Sequence, residues 1–439
     1  MPFTSGRVTF LRFKVIGDGP VAVDEAALSI LAEHKFQEVE IGAPDETEAG
    51  FVTGQHILDT QFTYEKCGYG NMLLFALRMD THKVPSEYKQ AYKMINEQAA
   101  AAGNPSGFAS KSDKREAKEL AERQVHEDLA AGKFRKSKMF PILWDLKAGM
   151  IYLGGASNSV IEELARQMRH AFAVDLECMS SGLSAGFYLR ENHSSRDYED
   201  FRPSKFTKPP AVAAMNRDES EIGGYDDLAT PIVPWVSKSV DLKDFLGNEF
   251  LYYLLYLAET NEGLCEVEDA NEKREYFITI DKALDMDCAW DAGGKQTLRG
   301  NAPDRLPEAA EAMVTGKWPR KLGLLLSDGE LSYELMLQGD KYIVSGAQLP
   351  EIQDAETPRE IIEYRLSYIA KLAEIVDDMY HGFIAVRSDT AKWPGLRDKM
   401  SKWIRTRKAP KVAVPMKTPP SSEQVSGSQQ AEEPETAEV

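Results

Sequence analysis

The stretch Lys111–Gly154 constrains the chain most, because in it a helical pattern passes straight into a pair of strands. From Lys111 to about Ala131 the spacing is helical, with a weak apolar stripe at Ala117, Ala121, Val125 and Leu129 and with Ser112 placed to cap. Two apolar runs, Met139–Trp144 and Met150–Leu153, joined by Asp145–Gly149, then read as a β-hairpin. On the helix, Lys111, Lys114, Arg115 and Lys118 fall within roughly 100° of arc. Lys114 and Arg115 occupy the first turn, where the helix dipole disfavours cations, so local stability does not ask for them. A second cluster, Lys133, Arg135, Lys136 and Lys138, reads as a basic loop above the hairpin. Such runs are most often solvated faces, so charge alone names no partner.

A length of 439 residues suits two or three domains with real cores. The hydrophobic fraction of 43% and charged fraction of 28% are those of a soluble globular protein. No run of about 18 apolar residues marks a membrane span. The N-terminus, MPFTSGRVTFLRFKV, starts a strand and lacks the apolar core of a signal peptide. Cys67, Cys178, Cys265 and Cys288 lie far apart without CxxC spacing, as expected of reduced thiols in a cytosolic protein and not of a metal site. The net charge of −18 argues against nucleic-acid binding by bulk charge. Any such binding must rest on where the cations lie.

The remaining pattern predicts strands at Val8–Ile16, Phe36–Ile41, Asn71–Met79 and Val174–Met179, and a loop or short strand at Gly50–Asp59. Helices are expected at Asp24–Glu33, from Ser86 or Pro85 through Gln98, and at Ser157–Phe172, with Ala99–Ser110 a flexible connector. Residues 1–180 thus read as an α+β lobe with antiparallel sheet. Residues 181–241, rich in Ser, Pro, Gly, Asp and Arg, read as an irregular insertion or linker. Residues 242–388 read as a second antiparallel-sheet-plus-helix lobe. It has a core helix at Phe245–Thr260, one or two strands in Tyr276–Ala289, and a short helix at Leu306–Thr315. A hairpin follows around Asp328-Gly329, then a strand at Tyr342–Ser345 and a long closing helix at Thr357–Val386. Residues 389–439 form a basic and then glutamate-rich tail, expected to be disordered beyond about Arg407.

Two patterns match known chemistry without its context. Gly182-Leu183-Ser184-Ala185-Gly186 matches a nucleophile elbow, but FYLRENHSSRDYEDFRPS after it does not read as the amphipathic helix an elbow needs, and the downstream histidines are only His193 and His381. Gly293-Gly294-Lys295-Gln296-Thr297 resembles the end of a phosphate-binding loop, but it lacks the leading Gly and has Gln where Ser or Thr belongs. No HExxH occurs, and no compact Asp/Glu/Lys cluster marks a metal-dependent nuclease.

Phe75-Ala76-Leu77-Arg78, Asp80, Lys83-Val84-Pro85, the Lys114–Lys118 helix, the basic loop to Lys138 and Trp144-Asp145 before Met150–Leu153 together resemble RdgC, the bacterial recombination-associated protein family. Leu298-Arg299-Gly300, Leu306-Pro307-Glu308-Ala309, Gly316-Lys317, Lys321-Leu322-Gly323-Leu324 and the helix after Pro358 resemble its C-terminal half. The resemblance covers about residues 1–180 and 240–388. It implies a non-enzymatic, ring-forming homodimer that binds double-stranded DNA without sequence preference through a positive channel and restrains the RecA recombinase. It also implies a cytoplasmic, nucleoid-associated protein with no cofactor and no membrane partner. The channel candidates are Lys83, Lys114, Arg115, Lys118, Arg135, Lys136, Lys138, Arg299, Lys317, Arg320 and Lys321. An acidic exterior around a basic lining accommodates the net charge, and nonspecific binding needs cations at phosphates with no base-reading element. Two other classes stay open: a metal-dependent nuclease, and a non-catalytic protein-interaction scaffold.

Overall fold

The computed structural model describes residues 3–38, 47–105, 107–155, 157–210, 230–269 and 272–407. Strand β1 (Val8–Ile16) leads to α1 (Glu25–Glu33), β2 (Thr47–Thr53), the single turn α2 (Tyr64–Cys67), β3 (Gly68–Tyr69) and β4 (Met72–His82). Helices α3 (Ser86–Ala102) and α4 (Lys111–Ala130) precede β5 (Arg135–Asp145), β6 (Met150–Leu153), α5 (Asn158–Phe172) and β7 (Asp175–Cys178). Then come α6 (Ser181–Glu191), α7 (Ser195–Asp200), a 3₁₀ turn at Pro234–Lys238, α8 (Phe245–Thr260), β8 (Leu264–Asp269), β9 (Glu272–Cys288) and β10 (Gln296–Arg299). The chain closes with α9 (Pro307–Val314), β11 (Lys317–Ser327), β12 (Ser332–Gln338), β13 (Ile343–Gln348), α10 (Pro358–Ser388) and α11 (Trp393–Thr406).

The strands form one mixed α+β scaffold around a large antiparallel sheet, in the order β10-β9-β11-β12-β13-β1-β6-β5-β4-β2, with β3 on β4, β7 on β1 and β8 on β9. Strand β1 joins the halves expected as separate lobes. Val8 and Phe10 pair with β13, whereas Leu11–Lys14 pair with β6 and Phe13–Ile16 with β7. Alternation along β1 then serves two cores. Val8 and Phe10 enter the core built on α8 and α10, while Leu11 and Phe13 enter the one built on α1 and α5. Arg12, on the Val8/Phe10 face and only 3% exposed, reaches Asp377 of α10 through two hydrogen bonds of 2.6 and 2.9 Å. Burial alone would lower the Arg12 pKa, but Asp377 overrides it and the net shift is upward. This pair, buried on its arginine side, fastens the closing helix onto the strand shared by both halves.

Helix α8 is apolar nearly all round because it lies between β9/β11 and α10, where Leu246, Leu251, Leu254 and Leu255 are fully buried. Each such side chain contributes roughly 2 kcal/mol of burial free energy. Gly247 permits this approach: a Cβ there would meet the Gly339 carbonyl oxygen at 2.1 Å. The turn carrying Asp340 and Lys341 is thereby set directly against α8.

Four expectations are corrected. Lys35 makes an isolated bridge to Phe51 and Phe36–Glu38 is not strand; the rest of Phe36–Ile41 lies outside the described residues. The cap of α4 is Ser110, not Ser112, in a capping box with Asp113. The insertion starts with two helices, because α6 buries Gly182, Ser184, Ala185 and Gly186, small residues whose packing role leaves no amphipathic stripe. The tail begins with a docked helix: Trp393, Met400 and Ile404 of α11 are buried, and Arg407 pairs with Glu259 of α8. Lys399, Lys402 and Arg405 stay exposed on this helix, whereas Arg407 is nearly buried, and the disorder expected beyond about Arg407 falls outside the described residues.

Candidate nucleic-acid interface

The structure sorts the candidate cations into three groups. Lys114, Arg115 and Lys118 sit on α4, which forms a helical arm with α3. The arm is laced by Tyr92 Oη donating to Asp128, Asn96 Nδ2 donating to Gln124 Oε1 (3.1 Å) and Asn104 Nδ2 donating to Asp113 (2.7 Å). Its apolar content is thin: α3 buries no residue, and α4 buries Ala117, Ala121 and Val125. Arg115 pairs with Glu119 at 3.2 Å and Lys118 with Glu122 at 3.7 Å, both one turn along the exposed helix. Such pairs contribute about 0.2–0.5 kcal/mol and leave the cations in water. At about 1.5 Å per residue, Lys114 stands roughly 24 Å along the helix from Ala130.

The second group, Lys83, Arg135, Lys136 and Lys138, lies at the end of the β4–β5 pair. The expected basic loop is strand, with Lys138 opposite Met79 and Lys136 opposite Thr81. Neighbouring residues of β5 point to opposite faces, which divides the group. Arg135 donates to Asp80 at 2.6 Å and also approaches Glu38 and Glu48. Asp80 is fully buried and takes two more bonds from Arg78, at 3.0 and 2.8 Å. Burial pushes the Asp80 carboxyl up, but the bonds from Arg78, Ser137 and Arg135 prevail and hold it below its ordinary range. Arg135 is therefore tied into a structural ion network. Lys136 and Lys138 are exposed, like Lys83, and have no acidic partner among the described residues.

The third group comes together on the far half of the sheet. Lys317 opens β11 and donates to Gln296 of β10 at 3.1 Å; Arg299 lies 3.6 Å from Asp285 of β9. Arg320 pairs with Asp340 at 2.5 Å and Asp287 at 3.8 Å, and its guanidinium stacks over Trp235 at 4.9 Å. Lys321 stands opposite Asp285 in the β11–β9 register without an ion pair to it. Sequence reasoning missed Lys295 and Lys341, which border the same two cavities as Arg320. Lys295 was visible only inside the incomplete glycine motif, and Lys341 carried no sequence signal; nothing in their spacing links them.

The nucleophile-elbow match has a structural explanation. Ser184 lies inside α6, 2% exposed, and its Oγ is 3.1 Å from His381 Nε2 of α10. His381 stacks on Tyr188, and burial lowers its pKa below the ordinary value. Asp377, one turn before His381, is already committed to Arg12 and to Tyr342 Oη, which donates at 2.7 Å. The Gly182 N–H is taken by Asp244 Oδ1 at 2.8 Å. The Ser184–His381 contact thus ties α6 to α10, and among the described residues no carboxylate hydrogen-bonds the imidazole. Among the described residues no group of three or more His, Cys, Asp or Glu is placed to hold a metal ion, and no helix is long and apolar enough to cross a membrane. The four cysteines are unpaired, and burial pushes the Cys67 thiol up to about 12. No protein-family model matches the chain, and no curated protein matches it.

Proposed function

We propose that this chain is a non-sequence-specific double-stranded DNA-binding protein that acts as a ring-forming homodimer and limits the access of the RecA recombinase to DNA in the nucleoid. The observation that carries the DNA reading is the unpaired lysines. In a chain of net charge −18, Lys83, Lys136 and Lys138 at one end of the sheet and Lys295, Lys321 and Lys341 at the other lack acidic partners among the described residues. Phosphates compete best for cations that carboxylates have not already taken, and each contact releases condensed counterions from the duplex. Point-charge lysines on strands and turns offer no base-reading geometry, which suits binding indifferent to sequence. The dimer and the recombinase link rest on the RdgC resemblance; the exposed Met94 and Ile95 on α3 are compatible with a second copy packing on the arm.

Anisotropy titration of random-sequence duplex across a salt series tests the reading. Log K is expected to fall with log salt by about 0.9 per phosphate contacted, alike for unrelated sequences. Salt-independent affinity, strong preference for one sequence, or magnesium-dependent degradation of the duplex would overturn it. Light scattering at micromolar concentration is expected to give a dimer.

A further inference from the structure

We propose that the paired cavities around Lys295, Arg320 and Lys341 form a phosphate-binding site. One cavity, about 390 Å³, opens between the Pro234–Lys238 turn and the end of β9; the other, about 330 Å³, lies over β9 and β11. Lys295, Arg320, Lys341 and Asp287 border both, so the two hollows share a cationic wall. Lys238 closes the first and Lys321 the second.

The charges are unevenly spent. Asp340 and Asp287 are engaged by Arg320, and Asp285 faces Arg299. The one charge of Arg320 answers only one of Asp340 and Asp287, so the remaining carboxylate charge and Asp291 stand against Lys238, Lys295, Lys321 and Lys341, none of which has an ion-pair partner among the described residues. Arg320 is fixed by Asp340 and by the Trp235 ring, and its Nε is buried without a partner. A held guanidinium beside several ammonium groups without ion-pair partners among the described residues suits a phosphate, which offers several oxygens to be satisfied at once. The loop entering the site adds room: Gly293 and Gly294 have φ of +70° and +91°, and a Cβ on either would meet nothing within 4 Å. This stretch is not a nucleotide-binding P-loop, because the strand β10 follows it where a helix would be required. The site is instead a cationic pocket assembled from a loop, a strand and a turn. It rests on the DNA-binding reading only for the source of the phosphate, which is a duplex backbone or a free phosphate compound.

The test uses the full chain, Lys295→Gln/Lys341→Gln, and Lys136→Gln/Lys138→Gln as a control. All four lysines are exposed, and unchanged melting temperatures would verify folding. With random-sequence duplex, the cavity variant is expected to lose about 1.8 from the slope of log K against log salt, two contacts at about 0.9 each. A slope unchanged in the cavity variant but lowered in the control overturns the cavity and keeps the DNA reading. If the unmodified protein binds no duplex at low salt, the DNA reading fails, and calorimetry with inorganic pyrophosphate decides the cavity. Saturable binding weakened about tenfold or more in the cavity variant then supports it; absence of binding overturns it as well.

Discussion

The helical arm and the Lys295–Lys341 face both gather cations, and they hold them in opposite ways. On the arm, Lys114, Arg115 and Lys118 are close in sequence, exposed, and partly answered by Glu119 and Glu122 one turn away. On the face, Lys295, Arg299, Arg320, Lys321 and Lys341 come from two strands, a loop and a turn, and the sheet fixes their spacing. The density of charge along a chain therefore says little about the density of charge in space. A helix spreads its cations along an axis and supplies carboxylates at the next turn. Adjacent antiparallel strands can stack them from distant segments.

The sharpest way to break this contrast is to remove what holds the face rigid. Truncation after Ser388 strips Trp393, Met400 and Ile404 from the core, each worth roughly 1.5–3 kcal/mol of burial. Chemical denaturation should show a large loss of stability or no cooperative transition, whereas truncation after Arg407 should leave the midpoint unchanged. Asp377→Asn comes next. It strands Arg12, and because Asp377 itself keeps about a third of its side chain exposed, the cost falls on the arginine. Losing one partner of such a pair costs about 3–5 kcal/mol, measurable by urea unfolding, with the arm's helix signal unaffected before global unfolding.

Binding sharpens the comparison at smaller scale. Lys321→Glu should weaken duplex binding about tenfold and lower its salt slope by about 0.9 or more. Lys114→Glu on the arm should do less, because its charge is not held in register with the others; a larger effect on the arm would reverse the ranking of the two regions. Protonation gives a further effect. His381 has a folded pKa below its ordinary 6.5, so the unfolded chain binds its proton first. Stability should be unaffected by this group well above pH 6.5 and should fall on acidification, by at most about 1.4 kcal/mol per pH unit. His381→Gln should flatten that part of the calorimetric pH profile. The smallest effect is expected from Arg115→Ala, a loss of about 0.3 kcal/mol with the single exposed pair to Glu119.

Local pattern by itself determined most elements of this protein. The period-3.6 stripes gave α4, α5 and α10 nearly to their ends, an all-round apolar run gave α8, and alternation with Asp328-Gly329 gave the β11–β12 hairpin. The cations between Lys114 and Lys138 were identifiable because side-chain type and helical spacing are local properties, whereas Arg299, Lys317, Arg320 and Lys321 became candidates only through the RdgC resemblance. Tertiary structure decided the rest. That β1 joins the two halves depends on alternate residues meeting two different cores, a pairing no window of sequence contains. α6 escaped notice because a helix buried on all sides by small residues has no polar face to mark it. The division of Arg135 from Lys136, one bound to buried Asp80 and the other free in solvent, follows from strand alternation combined with Asp80 on the neighbouring strand. Lys295 and Lys341 lie far apart in sequence and border the same cavities because β9, β11 and β12 pair side by side and Gly339 N–H bonds back to the Arg320 carbonyl. Electrostatics depends on distance through space, and only the packed chain sets those distances.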